Sequence, residues 1–100
     1  MSSSTELSSA GLEPRRRRIL FRARHRGMRE MDILLSKFAE AEIAAMSDGD
    51  LEDFERLLED AADRDVFMWL TDEAPVWPQF NTAVFHRLKA FHTHTGKLDL

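Results

Sequence analysis

Apolar residues in this chain return at intervals of three and four, and no stretch alternates apolar with polar residues as a half-buried strand would. Met31, Leu34, Leu35 and Phe38 occupy the i, i+3, i+4, i+7 positions of one helical stripe, which continues towards Ile43 and Met46. Leu51, Phe54, Leu57 and Leu58 make another stripe, and Phe80, Val84, Leu88 and Phe91 a further one. Between them Val66, Phe67 and Leu70 are spaced for burial, with Trp69 on the flank of that stripe yet expected in the core as the larger ring. Ile19, Leu20 and Ala23 can share a face near the start, leaving Arg15 to Arg18 and Arg22 in water.

The breaks between stripes are equally regular. Pro14 suits a first helical turn, where its missing amide costs nothing, and Gly27 offers a stop in the left-handed conformation, so the first helix is expected over residues 14–26. Ser47-Asp48-Gly49-Asp50 reads as a helix start capped by Ser47, and Asp63 as the cap of a fourth helix. Pro75 and Pro78 bracket a connection before the fifth run, with Trp77 between them free to cover the bundle end or to meet a partner. The pattern predicts an all-α fold: a single small antiparallel bundle of about five short helices. Residues 14–92 form the domain, residues 1–13 are expected to be a disordered tail and residues 93–100 a flexible C-terminal tail.

With 100 residues the chain supports one modest core, and its longest apolar stretches fall far short of the roughly 20 residues that cross a bilayer. It has no cysteine, which removes disulfides, cysteine-type zinc sites and thiol nucleophiles and suits a reducing compartment. Bacterial cytoplasm is the expected location, ahead of the mitochondrial matrix. The serines of residues 1–12 followed by arginines would suit a presequence, but Glu6 and Glu13 count against one.

Charge is sharply divided along the chain. Residues 1–29 carry eight arginines against two glutamates, whereas residues 30–73 carry fifteen acids against Lys37, Arg56 and Arg64, within an overall net charge of -4. The acidic half would repel a nucleic-acid backbone, and no aromatic platform is interleaved with Arg15 to Arg18, so a nucleic-acid binder is the weaker reading of that basic run. Enzyme chemistry finds little to stand on. Glu30 and Asp32, like Glu40 and Glu42, are two apart and diverge on a helix, so no shared-proton pair forms. His25, His86, His92 and His94 lack the spacing of three or four that would place two on one helical face. His92 and His94 are expected in a fraying end, and the serines lie where no base can be held beside them. No catalytic residue, no metal site and no phosphate-cradling glycine loop is expected.

The junction Arg26-Gly27-Met28-Arg29-Glu30 is the segment best suited to meeting a partner. Gly27 as a helix stop, Met28 as core filler and Glu30 as a first-turn acid have ordinary structural explanations. Two arginines at the positive end of a helix do not, and both are expected to reach outward for a carboxylate or phosphate.

The order Arg26, Gly27, Met28, Glu30, Asp32 resembles the signature of the succinate dehydrogenase assembly factor family, SdhE. Phe38, Glu40 and Glu42, then Leu57-Leu58-Glu59 leading through Asp63 and Asp65 to Phe67, Trp69 and Leu70, extend the resemblance over about residues 15–91. It implies a chaperone-like assembly factor that binds the flavoprotein subunit of succinate dehydrogenase, with that of fumarate reductase as a second client, and promotes covalent attachment of FAD. In that family the Arg-Gly turn packs near the client's flavin site, and the bond joins a client histidine to the flavin's methyl group. FAD would then belong to the client, with none held stably by this chain, which would be a monomer when free. Carried over residue by residue, Arg26, Gly27 and Glu30 are the main partner-binding positions, with Met28 and Asp32 in support. Family members also act as antitoxins, which leaves an antitoxin-type interaction module as the alternative.

Overall fold

A computed structural model describes residues 11–93. Five helices appear in order: α1 Pro14–Arg24, α2 Arg29–Glu42, α3 Asp48–Asp60, α4 Asp63–Leu70 and α5 Ala83–Thr93, with short 3-10 turns at Ile43–Ala45 and Pro78–Phe80. The described residues contain no strand. α1 packs on α2 and α3, and α5 on α2 and α3, so α2 and α3 form the middle of the bundle.

The stripes expected from periodicity are the core. Ile19, Leu20 and Ala23 of α1, Met31, Leu34, Leu35, Phe38 and Ala39 of α2, and Leu51, Phe54, Leu57 and Leu58 of α3 are all buried. Phe38 meets Phe54 and Phe91 edge-on at 5.6 and 5.7 Å between ring centroids. At the other end Trp69 is the hub of an aromatic group: Trp77, Phe80 and Phe85 lie 5.3, 5.7 and 6.2 Å from it. Trp69 therefore lies within the α4 stripe rather than on its flank, and Phe67, expected inside, is only partly buried. Trp77 covers Trp69 while remaining 45% exposed.

Two helix starts are capped by side chains, the first where the sequence suggests and the second at a residue not singled out from the sequence. Ser47 Oγ accepts the Asp50 amide at 3.1 Å to start α3, and Thr82 Oγ1 accepts the Phe85 amide at 3.2 Å to start α5. Others are not. α1 ends at Arg24, with the His25 amide closing on the Arg22 carbonyl at 3.3 Å, so the helix is shorter than the expected 14–26. Gly27 is not in the left-handed conformation, and a Cβ there would meet nothing within 4 Å. The one non-glycine residue with positive φ among those described is Asp72, at 64°, where the chain leaves α4. Asp63 is the first residue of α4 rather than its cap, a place taken by Ala62 with no side-chain bond.

Polar groups supply the remaining terminations. Arg16, expected in water, donates from Nη1 to the carbonyls of Ile43 and Met46 at 2.6 and 3.0 Å, bracing the 3-10 turn that follows α2. His92, expected at a frayed end, is buried, and its Nε2–H donates to the Leu34 carbonyl at 2.7 Å. Arg87 ties α5 to Glu42 and Asp50 at 2.7 Å each. Hydrogen bonding to Glu42 leads the causes that raise its pKa above the ordinary arginine value, against partial burial. Leu12 already packs against the core, and its carbonyl accepts from Arg17 at 2.8 Å, so the last residues of the segment expected as a tail belong to the folded domain. The rest of that tail, the expected C-terminal tail beyond residue 93, and His94 lie outside the described residues.

Candidate functional site

The junction between α1 and α2 is held from beneath by a net of charge-assisted hydrogen bonds. Arg26 turns inward: Nε donates to Asp63 Oδ1 at 2.8 Å, Nη1 to the Leu58 carbonyl at 2.6 Å and Nη2 to the Ala61 carbonyl at 3.5 Å. Leu58 lies in the last turn of α3 and Ala61 just beyond it, so the guanidinium meets carbonyls the helix leaves unpaired, at its negative end. Asp63 uses its second oxygen to accept the Met28 amide at 3.2 Å. Asp32, one turn into α2, accepts the Arg26 amide. The carboxylates of Asp63 and Asp32 thus bind both sides of Gly27, one after it at Met28 and one before it at Arg26.

This arrangement divides the five partner-binding positions read from the sequence. Arg26 and Asp63 side chains are each only 16% exposed and satisfy one another, so the Arg26 side chain does not reach outward as expected. Asp32 is half-buried beneath the turn, and Met28, the residue preceding α2, packs partly against the core. Gly27 and Glu30 are exposed. Arg29 is exposed as well, at the first position of α2. The outward surface of the turn is therefore the Gly27 backbone with Arg29 and Glu30 beside it, over a base fixed by Arg26, Asp32 and Asp63.

Asp63 is the site residue whose role the sequence concealed. Its carboxylate suits a helix start, and nothing local says that it serves an arginine 37 positions earlier. Phe21 is a second omission. It falls off the Ile19, Leu20, Ala23 stripe, and that offset is the signal: the ring is 61% exposed on the outer face of α1. Among the described residues no three histidine or acidic side chains come together in a way that could hold a metal ion, and no helix is long and apolar enough to cross a membrane.

Comparison with known proteins gives this geometry a family. A family model described as the flavinator of succinate dehydrogenase matches residues 17–92. Succinate dehydrogenase assembly factor 2, mitochondrial, of Mycosarcoma maydis is 42% identical over 86 residues, which takes in 80% of this chain and 35% of that protein. The protein of the same name from Danio rerio is 37% identical over 87 residues, 86% of this chain and 55% of that one. Assembly factor 2-B of Drosophila yakuba is 38% identical over 79 residues, 78% of this chain and 51% of its own length. The chain thus spans between about a third and just over half the length of these relatives. Their names place them in mitochondria, which lends no support to the bacterial cytoplasm expected from the sequence. Over nearly the whole described domain, including the pinned turn, the chain belongs to the family of succinate dehydrogenase flavinators.

Proposed function

We propose that this chain binds the flavoprotein subunit of succinate dehydrogenase and promotes covalent attachment of FAD to it, meeting that client with the turn at residues 26–32. The observation that carries the reading is the construction of the turn. Gly27, Arg29 and Glu30 stand exposed on a base made rigid by Arg26, Asp32 and Asp63, so a partner meets a surface already ordered and loses little entropy in fixing it. Gly27 has open space where a side chain would stand, which lets another backbone approach closely. Arg26, Met28 and Asp32 serve the contact chiefly by holding that shape, and Gly27 and Glu30 by touching the client.

In this reading the chain is not the catalyst. FAD belongs to the client, and the histidine that bonds to the flavin is the client's own. The assembly factor holds the client in a conformation that lets the bond form, acting as a single chain and leaving afterwards. The flavoprotein of fumarate reductase is a second client of the same chemistry. The compartment follows the client, which for the named relatives is mitochondrial.

The test is covalent flavin in the client, read as fluorescence of the denatured flavoprotein after co-expression in cells lacking their own assembly factor. Glu30→Ala is expected to remove most of that signal while lowering the melting temperature by only a few degrees, because Glu30 is exposed and supports α2 only as a first-turn acid, worth about 0.3–1 kcal/mol. A variant carrying both Glu30→Ala and Gly27→Leu that still supports covalent flavin at the wild-type level would refute the proposal.

A further inference from the structure

The arginines of α1 are sorted by what they face. Arg15 reaches Glu55 at 3.2 Å, Arg22 pairs with Glu59, and Arg24 holds Glu40 at 2.9 Å, so the flanks of the helix are neutralised by α3 on one side and α2 on the other. Arg16 serves the turn that follows α2. Arg17 and Arg18 remain, exposed and with no acidic partner among the described residues. They share the outer face with Phe21 and line one groove with it. His25 completes the face: its Nδ1–H donates to the Phe21 carbonyl at 2.7 Å and its ring stacks on Phe21 at 3.9 Å. Pro14, Arg17, Arg18, Phe21, Arg22 and His25 are all exposed, at spacings of three and four, and the row leads directly into Arg26 and Gly27.

We infer that this outer face of α1 is a docking surface for an acidic segment of the flavoprotein client, continuous with the contact made by the turn. The inference rests on the function proposed above and extends its interface. An isolated exposed ring needs no explanation, but Phe21 is fixed in place by His25 and bordered by two cations that α2 and α3 leave unanswered. A fixed aromatic ring is an economical anchor, because little side-chain entropy remains to be lost on binding. Two arginines beside it complement carboxylates and steer their approach.

The short extent of the face selects its occupant. Glu40 lies along one edge and Glu55 and Glu59 along the other, each already paired with an arginine of α1, so the uncompensated charge of Arg17 and Arg18 is confined to a strip no longer than α1 itself, about 16 Å. A short acidic peptide segment fits within it. A nucleic-acid backbone is longer than the strip and would run on towards the other twelve acids of residues 30–73.

The experiment measures binding of the purified full chain to the purified flavoprotein subunit, with a single-stranded RNA of about 20 nucleotides as a second ligand. A variant carrying Arg17→Glu and Arg18→Glu is expected to lose affinity for the flavoprotein by about tenfold, and its salt dependence should flatten between about 50 and about 300 mM. Phe21→Ala is expected to lose about tenfold without changing the salt dependence. Both should remain folded at the assay temperature, as circular dichroism reads, although the arginine variant gives up the exposed Arg17 bond to the Leu12 carbonyl. If both bind the flavoprotein with wild-type affinity while Glu30→Ala does not, this inference fails and the proposed function stands. If the wild type does not bind the flavoprotein, the proposed function fails and takes the inference with it. RNA binding that the arginine variant loses while its flavoprotein binding is intact would reassign the face and overturn the inference.

Discussion

Replacing Arg26 should unfold the domain more readily before it affects any partner. In Arg26→Ala, Asp63 loses the cation it faces while still accepting the Met28 amide, and the Leu58 carbonyl loses a donor 2.6 Å away. Hydrogen bonds to charged groups contribute about 1.5–3 kcal/mol each, and breaking a fully buried pair costs about 3–5 kcal/mol. With both side chains still 16% exposed, water can partly replace what is lost, so a net cost of about 2–3 kcal/mol is expected. In a domain of this size each kcal/mol moves the melting temperature by about 4–8 °C, so the midpoint should fall by about 10–20 °C. Thermal unfolding followed by circular dichroism reads this directly, and Glu30→Ala is the control. Asp63→Ala combined with Arg26→Ala completes a double-mutant cycle, in which the two losses should fall short of adding by about 1 kcal/mol or more. A midpoint for Arg26→Ala within about 2 °C of the wild type would refute the pinned turn and return Arg26 to the outward role first read from the sequence. Flavinylation by Arg26 variants is therefore informative only below their own melting range.

Two further outcomes follow from the same geometry. Gly27→Ala should change stability by less than about 0.5 kcal/mol, since φ is not left-handed and a Cβ meets nothing, yet it should weaken flavoprotein binding; a large fall in melting temperature would show that the turn itself needs glycine. His92→Leu should cost about 1–2 kcal/mol by chemical denaturation, because it removes the donor to the Leu34 carbonyl from a buried position; an unchanged midpoint would mean that apolar packing alone holds the end of α5.

The helices were legible because helical periodicity is a one-dimensional signal. Met31, Leu34, Leu35 and Phe38 must share a face wherever α2 packs, and burial of that face follows. The same argument failed to separate Phe67 from Trp69, since each is spaced to accompany Leu70 or Val66. Only the arrival of Trp77, Phe80 and Phe85 around Trp69 decides which ring is inside. The polar architecture was less legible for a related reason. Arg16 finds the turn after α2 27 and 30 residues away, Arg26 finds Asp63 at 37 and His92 finds Leu34 at 58. Such partners are fixed by which helix ends come together, and no local spacing encodes that. The turn's residues could be picked out in order; which of them face inward could not.

The division of charge along the chain takes on a different meaning once the helices are docked. A basic first helix and an acidic middle suggest a molecular dipole built for steering, but most of the arginines are answered within the bundle. Arg16 and Arg26 supply cations to backbone carbonyls just past α2 and at the end of α3, and Arg15, Arg22 and Arg24 bind the acids beside α1. The two sets differ in consequence. Exposed pairs contribute little to stability and mainly fix orientation, whereas an arginine closing a helix end satisfies groups that would otherwise stay unpaired. The charge pattern thus specifies first how α1 lies across α2 and α3. Of the arginines in residues 11–29 it leaves over Arg17, Arg18 and Arg29, on the outer face of α1 and at the tip of the turn, which is where the proposed partner contact lies.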